Sequence, residues 1–275
     1  MGMVLNLAPE DAAARPPEFV EGLAKGLAIL ECFDAAHVEM TLSEVARRVG
    51  LSPAAARRSL LTLQTLGYVG QRSRRFHLRP KVMTLGSAFY FSARIDEALQ
   101  PELREVVQAF GDASSVGTLD GVDVTYVAHY SVQRARRAAA TVGARYPAYA
   151  TSLGRVLLAG LSDDDLGARL DRMRPEALTS RTLTDPCRIR EAVLRAREEG
   201  YATTVDQLDY GITALAVPIR DAEGRSVAAL NSSGYTGKVT PEDLVRERLP
   251  DLRVAASRLG HTIARYPVLQ AMLGG

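Results

Sequence analysis

The sequence predicts an α+β protein in two unequal parts: a small helical domain closed by a β-hairpin and, beyond a linker helix, a larger mixed α/β domain. Three observations carry that expectation. The chain is 275 residues long, about twice the size of a common domain of roughly 100–200 residues. Its charge is segregated, because residues 41–81 hold nine basic side chains (Arg47, Arg48, Arg57, Arg58, Arg72, Arg74, Arg75, Arg79 and Lys81) against the single acid Glu44. That segment carries +8, so with +2 overall the remainder carries −6. The apolar period also changes, from helical before residue 66 to alternating strands and helices after residue 100.

Composition excludes several classes. With 47% hydrophobic and 24% charged residues the chain is not globally disordered. No run approaches the ~18 apolar residues that span a bilayer, and residues 1–17 lack a basic n-region and an apolar h-region. The expectation is a cytoplasmic protein with no membrane partner. Cys32 and Cys187 have no Cys or His at ligand spacing, which points to neither a disulfide framework nor zinc.

Residues 1–17, with Pro9, Pro16 and Pro17, read as a flexible arm before a domain over 18–80. Leu23, Leu27, Ile29, Leu30 and Phe33 recur at helical spacing and predict a first helix over 20–33 with these side chains inward. Thr41 with Glu44 forms a capping box for a second helix, whose stripe is Leu42, Val45, Ala46 and Val49 and whose end is Gly50. Ser52 as N-cap and Pro53 in the first turn open a third, to about residue 66, with Leu60, Leu63 and Leu66 inward. Helix, short glycine-containing turn and helix with a polar, basic start is the helix-turn-helix arrangement, whose second helix enters the DNA major groove.

A hairpin over 68–78 follows, tipped by Arg72-Ser73-Arg74-Arg75, a basic wing suited to phosphates or the minor groove. The candidate DNA-contacting set is Ser43, Ser52, Ala54, Ala55, Arg57, Arg58, Arg72, Arg74 and Arg75. Ala54 and Ala55 permit close approach to base edges, and Arg57 or Arg58 has the fork for guanine O6/N7. From charge alone a solvated basic face would read the same way. The linker helix is expected over 81–99, where Leu85, Phe89 and Phe91 suit either a dimer seam or simple core packing.

Beyond it, 100–275 reads as the second domain. A helix over 101–110 precedes two strands within 114–129 joined at Asp120-Gly121, with Val122, Val124, Tyr126 and Ala128 alternating on one buried face. Another strand is expected over 136–142. Thr151-Ser152 precedes a short apolar helix over 153–159, a helix start that accommodates a carboxylate or needs nothing beyond its own cap. Ser162 caps a helix opening with three Asp, and 188–199 forms another ended by Gly200. Strands over 201–205, 212–220 and 226–231 and a final helix from Thr240-Pro241 to about residue 265 complete a mixed sheet.

Three stretches resemble the IclR family of bacterial transcription regulators: residues 22–30 (GLAKGLAIL), 42–46 (LSEVA) and 60–69 (LLTLQTLGYV). The likeness continues through 76–86 (FHLRPKVMTLG) and covers nearly the whole chain. Residues 142–159 (VGARYPAYATSLGRVLLA) are similar to the subgroup regulating protocatechuate and 4-hydroxybenzoate catabolism. The resemblance implies a winged helix-turn-helix, a linker helix and a GAF-like effector-binding domain. It implies as partners a double-stranded DNA operator and a small aromatic carboxylate, with association as a homodimer or a tetramer made of dimers.

The same similarity nominates Ser152, Leu153, Asp206, Ile212, Ala214, Asn231 and Ser233 for the effector pocket. An aromatic acid needs an anion site, an apolar slot and a polar group for any ring hydroxyl. Thr151, Ser152 and Arg137 are assigned to the first, Leu153 and Ile212 to the second, Asn231 and Ser233 to the third. Ala214 departs from the Ser or Cys often found there in the family, and the loop from Asp206 to Gly211 is shorter than in some members.

Two other functions compete. One is an enzyme acting on a small aromatic acid with an accessory DNA-binding segment. Against it, His37, His77, His129 and His261 are scattered, and no Gly-x-Ser-x-Gly elbow, phosphate loop or metal cluster is present in the sequence. His129 beside Tyr130 is the one acid/base candidate, and no cofactor is called for. The other is an architectural nucleic-acid protein that binds without an effector.

Overall fold

The computed structural model describes residues 16–34, 36–132 and 140–273. The chain divides into two compact units, Met1–Phe89 and Tyr90–Gly275. The expected arm falls outside the described residues up to residue 15, as do Arg137 and most of the strand expected over 136–142.

In the first unit α1 (Glu21–Glu31), α2 (Leu42–Arg48) and α3 (Pro53–Thr65) surround Ile29, Val45, Val49, Leu60 and Val69, all fully buried. Short strands β1 (Met40–Thr41), β2 (Val69–Arg72) and β3 (Arg75–Leu78) pair antiparallel in the order β1-β3-β2, so the expected hairpin gains a third strand. The period of α1 is as expected but its buried face is not. Leu23 and Leu27 are exposed, and Ala28, Ile29, Leu30 and Cys32 are buried instead. α1 packs on α3 and joins the core through Ala28, Ile29 and Leu30, so the Leu23/Leu27 stripe points away from it. Leu66, also expected inward, is exposed because it is the C-cap of α3 and has left the helical face.

The linker is not one helix over 81–99. A single 3-10 turn, Pro80–Val82, leads into α4 (Met83–Ser92), which ends before Arg94, whose left-handed φ of 51° breaks the path. A short α5 (Ile95–Ala98) then leads into α6 (Gln100–Phe110). No residue of α4 is buried within the chain, and Leu85 and Phe91 are exposed.

The second unit is built on a six-stranded antiparallel sheet. Its strands are β4 (Ala113–Asp120), β5 (Asp123–Ser131), β6 (Arg145–Pro147), β7 (Ala202–Val205), β8 (Ile212–Arg220) and β9 (Ser226–Tyr235), in the order β6-β5-β4-β9-β8-β7. The remaining helices are α7 (Ser152–Ala159), α8 (Asp163–Arg172), α9 (Pro186–Glu199), α10 (Pro241–Ala264) and α11 (Pro267–Leu273). One face of the sheet takes α6 and α10; the other takes α7, with α9 over it. All eight residues of α7 are buried, which fits an apolar helix enclosed between a sheet and a second helix.

Three sequence expectations shift here. The β4–β5 turn is one residue later than expected, because Asp120 pairs with Asp123 and leaves Gly121 and Val122 at the tip. The alternation along β5 fails after Tyr126: Gly117 faces Tyr126, Val116 faces Ala128 and Ser115 faces His129, so Val127 and Ala128 together oppose one residue. This is a β-bulge, which turns the following side chains to the other face of the sheet. Finally β9 runs four residues past Asn231, to Tyr235, and brings Ser233 into the sheet.

Candidate functional site

The first unit presents its polar residues outward from local signals. Thr41 Oγ1 accepts the Glu44 amide at 3.3 Å, and Glu44 returns a carboxylate oxygen to the Thr41 amide at 2.7 Å. Ser52 Oγ accepts the Ala55 amide at 3.3 Å, with Pro53 in the first turn. This fixes the start of α3 with Ala54, Arg57 and Arg58 exposed and Ala55 half-buried, while Ala56, Leu60 and Leu63 turn inward. Ser43 is exposed at the start of α2. At the wing Arg72 pairs with Arg75 across a turn in which Ser73 has φ 56°, so Arg74 projects from the tip.

The basic residues divide into two groups that charge counting cannot separate. Arg48 donates to the Cys32 carbonyl at 2.8 Å and pairs with Asp34. Arg75 reaches the Glu39 carbonyl at 3.0 Å and Glu44 at 3.4 Å, and Lys81 the Leu66 carbonyl at 2.9 Å. Among the described residues Arg47, Arg57, Arg58, Arg72, Arg74 and Arg79 form no salt bridge, Arg47 acting on Glu44 only through its charge. The uncommitted charge therefore sits on α3, the wing and the ends flanking them, which is the arrangement a polyanion would neutralise. The burial of Cys32 pushes its thiol up to about 12 and leaves it inert.

In the second unit the sheet register decides which side chains meet. Thr204, Ala214, Ser233 and Ala113 form one lateral row; Ala202, Ala216, Asn231, Ser115 and His129 form the next. Laterally paired residues share a face, as do residues two apart along a strand. Ala202, Ala216 and Ala229 pack with Leu153, Val156 and Leu157, so this is the face that α7 covers. Ile212, Ala214, Asn231 and Ser233 thus lie on the face met by Leu153. A methyl placed on Gly117 would lie 3.4 Å from Leu153 Cδ1, which locates the start of α7 over β4.

Most of the nominated polar side chains have local hydrogen-bond partners. Thr151 is the N-cap of α7: its Oγ1 accepts the Gly154 amide at 3.0 Å, so that hydroxyl is committed locally. Ser152 is buried in the first turn. Asp206 organises its own loop, with φ 53° and a carboxylate oxygen that accepts the Gly211 amide at 2.7 Å and the Thr236 hydroxyl at 2.8 Å. Asn231 Oδ1 accepts the Ser115 amide at 2.8 Å, and Ser233 Oγ bonds the Ala113 carbonyl at 3.3 Å.

Arg155, one turn into α7, escapes the sequence reading. It is only 5% exposed. Its guanidinium donates to the Thr203 carbonyl at 3.3 Å, the Tyr149 carbonyl at 3.2 Å and the Gln207 side chain, while Nε is buried with no partner among the described residues. Among the described residues no carboxylate neutralises it, and burial pulls its pKa down to about 10. It joins the turn before α7, the edge strand β7 and the loop after it. A buried cation compensated by neutral dipoles alone makes the start of α7 favourable for an anion. A basic residue inside an otherwise apolar helix was the available signal.

Comparison with known proteins gives a family for each unit. Residues 22–73 match the family described as IclR helix-turn-helix domain, and residues 89–261 match Bacterial transcriptional regulator IclR C-terminal. The Pca regulon regulatory protein of Pseudomonas putida is 38% identical over 90% of this chain and 85% of its own. The p-hydroxybenzoate hydroxylase transcriptional activator of Acinetobacter baylyi is 33% identical over 90% of this chain and 94% of its own. A putative transcriptional regulator from a Rhodococcus species superposes with a TM-score of 0.72 at 42% identity, covering 90% of this chain and 99% of that one. The inducer-binding domain of a doubly mutated Acinetobacter transcription factor, in complex with 3-hydroxybenzoic acid, gives a TM-score of 0.55 at 29% identity and covers 60% of this chain and 96% of that one.

Proposed function

For a chain that belongs to the IclR family of bacterial transcriptional regulators, we propose control of an aromatic-degradation operon through a small aromatic carboxylic acid bound in the second unit. The chain is a regulator and not an enzyme, as its families and relatives are. The observation that carries the effector class is the start of α7. The positive end of that helix and the buried Arg155, which has no carboxylate partner among the described residues, favour a carboxylate there, Leu153 and Ile212 lie on the sheet face that α7 covers, and Asn231 and Ser233 lie on the same face. The relatives of similar sequence include regulators of the Pca regulon and of p-hydroxybenzoate hydroxylase.

In this reading α3 reads the operator through Ala54, Ala55, Arg57 and Arg58, with Ser43, Ser52, Arg72, Arg74 and Arg75 as further contacts. Copies of the chain act together as a homodimer or as a tetramer made of two dimers, for which the exposed apolar residues Val20, Leu23 and Leu27 and those of α4 offer surface. The effector acts only through its differential affinity for the DNA-bound and free states. Fluorescence anisotropy with DNA from upstream of the gene and its neighbours, at several salt concentrations and with or without 4-hydroxybenzoate or protocatechuate, tests this. Site-specific, salt-dependent binding altered by one acid is expected. Operator binding that no aromatic acid changes would remove the effector class, and absence of DNA binding would remove the whole reading.

A further inference from the structure

We propose that His129, oriented by Ser115, reads a hydroxyl on the ring of the bound acid, with the side-chain amide of Asn231 beside it. The inference rests on the aromatic-acid reading above and adds a specificity-determining residue that the family likeness did not nominate.

The bulge at Val127 and Ala128 is the first observation. A regular β5 would place Tyr130, and not His129, on the face shared with Tyr126; the extra residue brings His129 opposite Ser115 on the α7 side. The second is the state of the imidazole. Nδ1 lies 2.9 Å from Ser115 Oγ, and Nε2 is buried without a partner among the described residues. Buried side-chain nitrogens are rarely left so, because the desolvation cost is not returned. The third is the neighbourhood. The amide of Ser115 donates to Asn231 Oδ1 at 2.8 Å, which fixes that side chain by its oxygen and leaves its NH2 group without an acceptor among the described residues, in the same lateral row.

The row also lies at the right distance. Leu153 sits over Gly117, and Ser115 is two residues along the same strand, about 7 Å away. A ring resting against Leu153 with its carboxylate at the start of α7 extends its far side toward Ser115, Asn231 and His129. Burial lowers the pKa of His129 and keeps the imidazole neutral, so Nε2 is a donor or an acceptor according to how Ser115 is bonded. A hydroxyl serves either case, since it both donates and accepts. An acid lacking it leaves Nε2 and the Asn231 amide unpaired, which is how a polar site rejects an apolar analogue.

The experiment is calorimetric titration of the full chain with benzoate and with 3-hydroxybenzoate, 4-hydroxybenzoate and protocatechuate, repeated on His129→Phe and Ser115→Ala. The wild type is expected to prefer one hydroxylated acid over benzoate. His129→Phe should cut that preference by about tenfold while leaving benzoate affinity nearly unchanged, and Ser115→Ala should cut it less. An unchanged preference, or an equal loss for every acid, overturns the assignment. Should His129→Phe fail to fold, labelling the histidine nitrogens of the wild type gives the same decision: the Nε2 resonance of His129 must move with the preferred acid and stay in place with benzoate. A wild type that binds none of these acids would instead bring down the aromatic reading, and this inference with it.

Discussion

The two units of this chain carry their function in opposite ways. In the first, the side chains proposed to meet DNA point outward from helices and a turn set by their own neighbours in sequence: Ser52 and Pro53 start α3, the Thr41–Glu44 pair starts α2, and the wing needs only a two-residue turn. In the second, the candidate effector residues point inward and come from α7, β4, β5, β8 and β9, brought together by strand pairing across more than a hundred residues, as in Ser115 with Asn231. An exposed reader can lose one contact and keep its fold, so the cost falls on recognition alone. A buried site fixed by packing has little such tolerance, because its parts are also the core.

Gly154→Ala is the hardest test of that contrast. A methyl there would strike the backbone of Ala148, whose carbonyl lies well inside contact distance, and backbone cannot step aside as a flexible side chain does. The variant is expected to lose about 3 kcal/mol from the second unit through overpacking, while α3 and the wing keep their structure. Denaturant titration followed by hydrogen exchange in both units would measure it. Equal loosening of the first unit would break the comparison, and wild-type stability would show that α7 and the turn before it can move apart.

Arg58→Ala and Arg48→Ala sharpen it within one unit. Arg58 is exposed and unpaired among the described residues, so its loss should cost about 2 kcal/mol, near 30-fold, of preference for the operator over unrelated DNA with stability unchanged. Arg48, tied to Cys32 and Asp34, should lose stability and little preference. Anisotropy against both DNAs decides, and a uniform loss for Arg58→Ala would make it a phosphate contact. In the second unit Asn231→Ala should weaken the preferred acid by about 1.4 kcal/mol, tenfold, with DNA affinity in its absence intact. Because that change also unpairs the Ser115 amide, Asn231→Asp, which keeps the oxygen acceptor, is the companion variant. Unchanged effector affinity in both would remove Asn231 from the site.

What the sequence made legible follows the same division. Caps, glycine stops and a hairpin are local events, and they place α2, α3, β2 and β3 where the residues suggest. The face of α1 was misjudged because periodicity reports that a helix has an apolar side, not which side a neighbour covers; α1 has apolar residues on both Leu23 and Ile29 sides and buries one. In the second unit the nominated residues came through family likeness, and most lie on one sheet face. Arg155 did not emerge and His129 emerged only as an acid/base candidate, for a physical reason. The significance of the first is the lack of a carboxylate partner among the described residues, and the direction of the second depends on a bulge two residues earlier. Neither property resides in a single position of the chain.

The smallest expected effect concerns the capping box of α2. Thr41→Ala removes a hydroxyl that accepts the Glu44 amide and donates to the Glu44 carboxylate at 2.9 Å, and an N-cap of this kind contributes about 1 kcal/mol. The Thr41 backbone N–H, followed by its hydroxyl, holds the Glu44 carboxyl below its usual range. A depressed carboxylate stabilises the fold above its unfolded pKa of about 4.3, and that contribution is lost as pH falls through the lower folded value. The difference between wild type and variant, read as hydrogen exchange of the α2 amides, should therefore be largest near neutral pH and narrow below about pH 4. It should not vanish, because the bond from the Glu44 amide to the hydroxyl does not titrate. A difference independent of pH would mean that the carboxylate takes no part in the cap, and no difference at all would mean that α2 is held by packing alone.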